Sequence, residues 1–200
     1  MAKTLDFYFD FYSPYGYLAH YKMDAIAERY GYQANWHAIL LGPAFKAVGS
    51  KPLLDIPLVG EYSAHDFART ARLEGVPFVM PATFPGATLA AGRAFYWLQD
   101  QDPALAKRFA KAAYKAAFAE GQDLLQLETI KRVASAEGID AEALEAAIQT
   151  DAVKERFKTA VQESLDKGVF GSPFVVVDGE QFWGNDRIPQ VEQWLARGGW

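Results

Sequence analysis

A chain of 200 residues is long enough for one sizeable domain, or a compact domain carrying a long insertion, and too short for two full-sized ones. Half of the residues are hydrophobic and 22% are charged, which excludes a disordered polymer; 20 Lys plus Arg against 25 Asp plus Glu leave a net charge of −5, without the basic footprint of a nucleic-acid binder. Cysteine is absent, which excludes disulfide staples, thiolate metal ligands and any thiol nucleophile or dithiol redox cycle of the protein's own, so sulfur chemistry would need a sulfur-bearing ligand.

The chain opens on Met1-Ala2-Lys3-Thr4 and runs straight into an alternating segment, without a charged and then apolar leader. Its apolar stretches are too short to span a bilayer, so a soluble, cytoplasmic protein is expected, with neither membrane nor nucleic acid as partner. Leu5, Phe7, Phe9 and Phe11 alternate with Asp6, Tyr8 and Asp10, a period of two that predicts a strand with one apolar and one polar face. The strand stops at Ser13-Pro14, where Ser13 suits the N-cap and Pro14 the first turn of a helix. That helix carries Leu18, Tyr21, Met23, Ile26 and Ala27 on one face and closes at Gly31. Tyr32 to Ile39 reads as a second strand, giving a β-α-β start with a helix long enough for a parallel crossover.

From about residue 42 to 168 the pattern is helical with irregular breaks and reads as five helices. Gly42 to Gly60 is loop-like, and Ser63 with Asp66 forms a variant capping box for a helix ending near Gly75-Val76-Pro77. Pro81 to Gly86 is a second loop. Asp102-Pro103 opens a helix that ends before Gly121; Asp123 with Gln126 forms a further capping box, its helix closed by Gly138, and Asp140 caps the next. Phe174 to Val177 is then an apolar strand, Asp178-Gly179 a two-residue hairpin turn and Glu180 to Trp183 its return, before a last helix bearing Ile188, Val191, Trp194 and Leu195. The four strands are expected in one sheet, because neither end of the chain can bury its apolar faces alone.

Three segments carry candidate chemistry, each with a plainer structural role beside it. Ser13 stands at a helix N-terminus, where unpaired N–H groups favour an anion, but it also serves as an ordinary N-cap. Ser172-Pro173 precedes an apolar strand, either as a trans proline that begins it or as a cis bond that leaves the Ser172 backbone free for an extended ligand. Asn185 and Asp186 either cap the last helix or meet a ligand with both an ammonium and a carboxylate. The three histidines, His20, His37 and His65, do not fall into a metal-ligand pattern, so no metal site is expected.

In combination these segments are more specific. The β-α-β start with Ser13-Pro14, the long helical stretch and Gly171-Ser172-Pro173 before a hairpin resemble an α/β thioredoxin fold (β-α-β … β-β-α) with a large all-helical DsbA-type insertion. The phrases Phe7-Tyr8-Phe9-Asp10-Phe11-Tyr12-Ser13-Pro14-Tyr15, Val169-Phe170-Gly171-Ser172-Pro173 and Phe182-Trp183-Gly184-Asn185-Asp186-Arg187 are similar to those of the 2-hydroxychromene-2-carboxylate isomerase family. That family is related to the kappa-class glutathione transferases. The resemblance runs over the whole chain, is strongest at its ends, and implies a thioredoxin-like domain from 1–41 and 169–200 with the insertion at 42–168.

It also implies glutathione as cofactor. In such a site Ser13 holds the glutathione thiolate, Ser172 pairs its backbone with the cysteinyl part, and Trp183, Gly184, Asn185 and Asp186 receive the γ-glutamyl end. A small aromatic carboxylate would meet Lys46, with Ser50 and Phe84 lining the same pocket. Phe84 stands where the family pattern suggests a tyrosine, and Leu58-Val59-Gly60 where kappa enzymes carry a lysine. The implied reaction is glutathione-dependent isomerisation of 2-hydroxychromene-2-carboxylate to trans-o-hydroxybenzylidenepyruvate in aromatic hydrocarbon degradation, by a homodimer. A kappa-like transferase that conjugates an electrophile, and a cysteine-free thioredoxin-fold binding module, are the alternatives.

Overall fold

A computed structural model describes residues 3–200; Met1 and Ala2, with which the expected 1–41 segment and its leaderless start begin, lie outside the described residues. Strand β1 (Lys3–Phe9), helix α1 (Pro14–Arg29) and strand β2 (Tyr32–Ala38) form the expected parallel crossover, with Phe7 beside Trp36 in register. Strands β3 (Phe174–Val177) and β4 (Glu180–Trp183) make the hairpin, and β3 runs antiparallel to β1. The order β2-β1-β3-β4 is that of a thioredoxin sheet, with the first strand in its interior. Asp178 at φ 52° and Gly179 at φ 84° both occupy the left-handed region, as the tight hairpin turn demands.

Leu5, Phe7 and Phe9 are fully buried on one face, where Phe9 meets Trp36 and Phe95 edge-on. The opposite face departs from the alternating expectation. Tyr8 is buried against Ile39, Val169 and Phe174, and Asp10 is buried as well; only Asp6 stays half-exposed, bonded to His37 at 2.9 Å. Material packs on both faces, so polarity in the strand no longer marks solvent. On α1, Tyr21 is half-exposed rather than part of the inward face.

The stretch between β2 and β3 holds seven α-helices rather than five: α2 (Leu41–Val48), α3 (Val59–Glu74), α4 (Leu89–Gln99), α5 (Pro103–Phe118), α6 (Leu127–Ala136), α7 (Ala141–Gln149) and α8 (Asp151–Asp166). Gly42 and Pro43 lie in the first turn of α2, where a missing N–H costs nothing, so Gly42–Gly60 is only partly loop. Helix α3 starts at Val59, four residues ahead of Ser63, which is buried inside it and does not cap it. The Gly60 backbone packs so tightly on Leu54 that a Cβ would stand 2.5 Å from its carbonyl oxygen. Helix α4 carries apolar residues around most of its circumference, which hides the helical period from a sequence reading. Its Gly92 lets the Phe157 ring of α8 lie directly on the backbone.

Asp102 and Asp140 cap α5 and α7 as expected, accepting from Ala104 N and from Glu142 N and Ala143 N. Asp123 does not cap α6; its carboxylate accepts from Leu125 N at 2.8 Å and closes a turn before the helix. Thr150 divides α7 from α8 by accepting from Val153 N. At the C-terminal end, a 3-10 turn at Asn185–Arg187 leads into α9 (Ile188–Arg197), so neither Asn185 nor Asp186 is its side-chain cap. One apolar cluster joins β1, α1 and α9 to α4 through α8, so the helical stretch shares a core with the sheet. Among the described residues no helix is long and apolar enough to cross a membrane.

Candidate functional site

The end of β1, the N-terminus of α1 and the segment before β3 meet at Ser13 and Ser172. Ser13 is the N-cap of α1, and its hydroxyl accepts from Gly16 N at 3.0 Å. The same hydroxyl donates to the Ser172 carbonyl at 2.8 Å, across 159 residues of chain. The Ser172-Pro173 bond is cis, the second of the two arrangements open from sequence, yet the Ser172 carbonyl is not free: Ser13 occupies it. Ser13 and Ser172 are both buried, at 3% and 8% exposure, beneath a helix terminus that carries about half a positive charge. At that terminus the Ser13 hydroxyl uses both its proton and a lone pair within the protein.

Asp10 organises the surroundings. Its Oδ1 accepts from Tyr12 N and its Oδ2 from Leu41 N, each at 2.8 Å. Its backbone carbonyl accepts from the Tyr114 hydroxyl at 2.8 Å and from Ser13 N at 2.9 Å, while its N–H donates to Ser172 Oγ at 2.9 Å. Burial pushes the Asp10 carboxyl up to about 6, against the two backbone donors that favour its ionised form. Burial also raises the Tyr114 phenol well above its usual range, with the neighbouring Asp10 charge adding to the effect. Gly16 is required where it stands, since a Cβ there would lie 2.6 Å from the Tyr114 hydroxyl and 2.8 Å from Ser172 Oγ.

The remaining candidates divide. Trp183 is half-exposed, stacks edge-on against Phe170 at 4.9 Å, and lays its indole on Gly171, one residue before Ser172. Gly184, at φ 109°, donates its N–H to the Pro173 carbonyl at 3.0 Å. Asn185 is buried and faces α1 and α3, donating to Glu74 Oε1 at 2.9 Å and accepting from Lys22 Nζ at 3.2 Å. Lys22 also pairs with Glu74 at 2.5 Å, so the Asn185 side chain sits inside an ion pair. Asp186 is exposed and pairs with Arg187 at 2.7 Å.

Phe84 is half-buried against Tyr12, 5.9 Å between rings, in a loop pinned where the Tyr12 and Thr83 hydroxyls both donate to Asp123. Lys46 is exposed in the last turn of α2, and Ser50 is exposed just beyond it. The structure does not bring either into a hydrogen bond with Ser13 or Ser172; the start of α2 is tied to the Ser13 turn by the Leu41 N–H, which Asp10 holds. Sequence reasoning missed Asp10, Tyr114 and the Lys22–Glu74 pair. Asp10 lay on the strand's polar alternation, and nothing in that pattern reveals that α2 would cover it.

A cysteine-free site at the head of α1, opposite a Ser-Pro turn before the hairpin, defines a thioredoxin-fold protein without the fold's own dithiol. The model of the DSBA-like thioredoxin domain matches residues 4–196. The chain is 32% identical over 197 residues to 2-hydroxychromene-2-carboxylate isomerase of Sphingobium xenophagum, covering 98% of this chain and 99% of that protein. It is 26% identical to glutathione S-transferase kappa 1 of Caenorhabditis elegans, over 96% of this chain and 91% of that protein. Among solved structures, a 2-hydroxychromene-2-carboxylate isomerase superposes with a TM-score of 0.87 at 29% identity, covering 97% of this chain and 95% of that one. This chain belongs to the DSBA-like thioredoxin family and, within it, to the 2-hydroxychromene-2-carboxylate isomerases.

Proposed function

We propose that the protein is a glutathione-dependent isomerase of a small aromatic carboxylate, 2-hydroxychromene-2-carboxylate in the first instance. The observation that carries this reading is the buried Ser13–Ser172 pair at the N-terminus of α1, in a chain without cysteine. The donor set fits glutathione: a hydroxyl and helix N–H groups for a thiolate, a carbonyl for an amide N–H, and the Gly171–Trp183 surface beside them. When bound, glutathione supplies the sulfur nucleophile that the chain itself lacks.

Ser13 is the proposed catalytic residue. To stabilise a thiolate it rotates its hydrogen away from the Ser172 carbonyl, which leaves that carbonyl to accept from the ligand's backbone. One charge-assisted hydrogen bond of this kind contributes about 1.5–3 kcal/mol, and it raises the share of nucleophile at neutral pH. Trp183 and Gly184 stay with Ser172 on the cofactor side. Asn185 and Asp186 belong to the γ-glutamyl end in this proposal, Asn185 through its backbone because Lys22 and Glu74 hold its side chain. Phe84, from the loop before α4, and Lys46 and Ser50, from the end of α2 and just beyond it, are assigned to the aromatic carboxylate. A homodimer and a cytoplasmic setting belong to the same proposal, and sedimentation velocity on the purified chain tests the first.

The deciding experiment follows the absorbance of 2-hydroxychromene-2-carboxylate with the enzyme, with and without catalytic glutathione. Approach to an equilibrium mixture only when glutathione is present, with no thiol consumed, supports the isomerase. Stoichiometric loss of glutathione into a conjugate supports the second reading, a kappa-like transferase, which the 26% identical kappa relative favours. Binding of neither partner would point to the non-catalytic module. Ser13→Ala should lower kcat about 10- to 100-fold while glutathione affinity changes only a few-fold. Unchanged turnover removes Ser13 from its role.

A further inference from the structure

The connection between α3 and α4 lies against Tyr12, the residue before Ser13, and it is pinned there at two points with Phe84 between them. The first pin is polar. The Tyr12 and Thr83 hydroxyls reach the same oxygen of Asp123, at 3.0 and 2.8 Å, and stand 2.9 Å from each other. The second is steric: a Cβ on Gly86 would stand 2.8 Å from the Leu125 side chain and 3.2 Å from the Tyr12 ring. Asp123 is itself fixed by its own turn, since Oδ1 also accepts from Leu125 N at 2.8 Å and Oδ2 from Gln126 Nε2 at 3.0 Å. One short segment before α6 therefore carries both pins, and both act at Tyr12. Phe84 packs on the Tyr12 ring at 5.9 Å and on Phe118 at 6.4 Å. Apolar packing of this kind is non-directional, so it holds the connection down without fixing where along the surface Phe84 stands. Hydrogen bonds demand a narrow range of distance and angle, and donors gathered on one charged oxygen set the register.

We propose that Asp123 is a positioning residue for the second substrate: it ties Thr83 to Tyr12 and so sets where the Phe84 ring stands beside the Ser13 turn. The inference rests on the isomerase reading for what Phe84 meets, but not for the tie itself. As a positioning residue Asp123 acts through Tyr12 and Thr83 rather than by touching the substrate. Without it the connection stays packed and Phe84 loses its fixed place. The Ser13 hydroxyl and the Ser172 carbonyl share no hydrogen bond with Asp123, so the glutathione side keeps its geometry.

The first arm of the test is kinetic. Asp123→Ala should raise KM for 2-hydroxychromene-2-carboxylate about tenfold, the strength of one bond to a charged acceptor, while the Kd for glutathione changes less than about twofold. Asp123→Asn keeps an acceptor oxygen in the same place and should recover most of that loss. Tyr12→Phe should raise KM as well, and in that chain the further effect of Asp123→Ala should shrink at least about threefold, because partners in one network are not additive. The second arm needs no activity. Nuclear Overhauser contacts between the Tyr12 and Phe84 rings should weaken in Asp123→Ala and keep their strength in Asp123→Asn.

Ring contacts that are unchanged in Asp123→Ala overturn the tie. Equal rises in KM and glutathione Kd overturn its confinement to the second substrate and leave Asp123 a general structural role. An effect of Asp123→Ala that is the same with and without the Tyr12 hydroxyl overturns the route through Tyr12. If the chain does not act on the chromene carboxylate, the isomerase reading fails and the ring contacts still decide the tie. If Asp123→Ala does not fold, Tyr12→Phe decides it, and an unchanged KM there overturns the proposal.

Discussion

Replacing His20 by Phe should give a stability that falls, relative to the wild type, as the pH rises from 4 to 6.5. His20 is buried among Tyr17, Tyr21 and Tyr114, and Nδ1 donates to the Tyr17 carbonyl; burial pulls its pKa from 6.5 down to about 4. A depressed histidine is neutral in the fold and protonated in the unfolded chain, so its contribution is present above 6.5 and is lost as the pH falls toward 4, by about 3 kcal/mol. Asp10 runs the other way. Its pKa is raised from 3.8 to about 6, so its contribution is complete below 3.8 and is lost as the pH rises through 6, also by about 3 kcal/mol.

Within the shared window the two nearly cancel in the wild type. Each variant exposes the other group. Urea denaturation at half-unit steps of pH, read as the difference between variant and wild type, removes the contributions of every other carboxylate. The difference for His20→Phe should decline by about 3 kcal/mol across the window, and that for Asp10→Asn should climb by a similar amount. A difference independent of pH in either variant would refute the assignment, because it would mean that burial does not hold that group's pKa away from its ordinary value.

Gly16→Ala should lower stability by about 1–3 kcal/mol and weaken glutathione binding together, since the added methyl displaces the Tyr114 hydroxyl or Ser172 Oγ; thermal unfolding and calorimetric titration read the two effects. Asp140→Ala should cost about 1 kcal/mol in urea unfolding with turnover unchanged, as it strips the cap from α7, a helix that packs on α4, α6 and α8. Asn185→Ala should cost about 1–3 kcal/mol by leaving Glu74, already carrying one buried unpaired oxygen, short of a donor, and Asn185→Asp should not rescue it.

Much of the fold could be read directly from the residues. Period-two alternation, Ser13-Pro14, Asp102-Pro103, Asp140 and Asp178-Gly179 are local signals, and each is realised where a reader of the chain would put it, because caps and tight turns are satisfied by atoms a few residues away. The family phrases at the two ends are local in the same sense. Ser63 and Asp123 show the limit of that reasoning: both have the composition of caps, yet the packing of Gly60 on Leu54 sets the start of α3, and a preceding turn takes the Asp123 carboxylate.

What the residues alone determined, then, was the order of strands at the two ends, the helical character between them and the absence of any thiol. The tertiary structure decided which polar groups are buried and what they hold. Asp10 alternates as an outward residue and becomes a hub only when α2, Tyr114 and Ser172 close around it; Asn185 looks like a cap and is instead drawn to Lys22 and Glu74. Ser13 and Ser172 are 159 residues apart, and no local pattern carries their 2.8 Å bond. Such contacts depend on the sum of packing over the whole chain, while a cap or a turn depends only on its immediate neighbours.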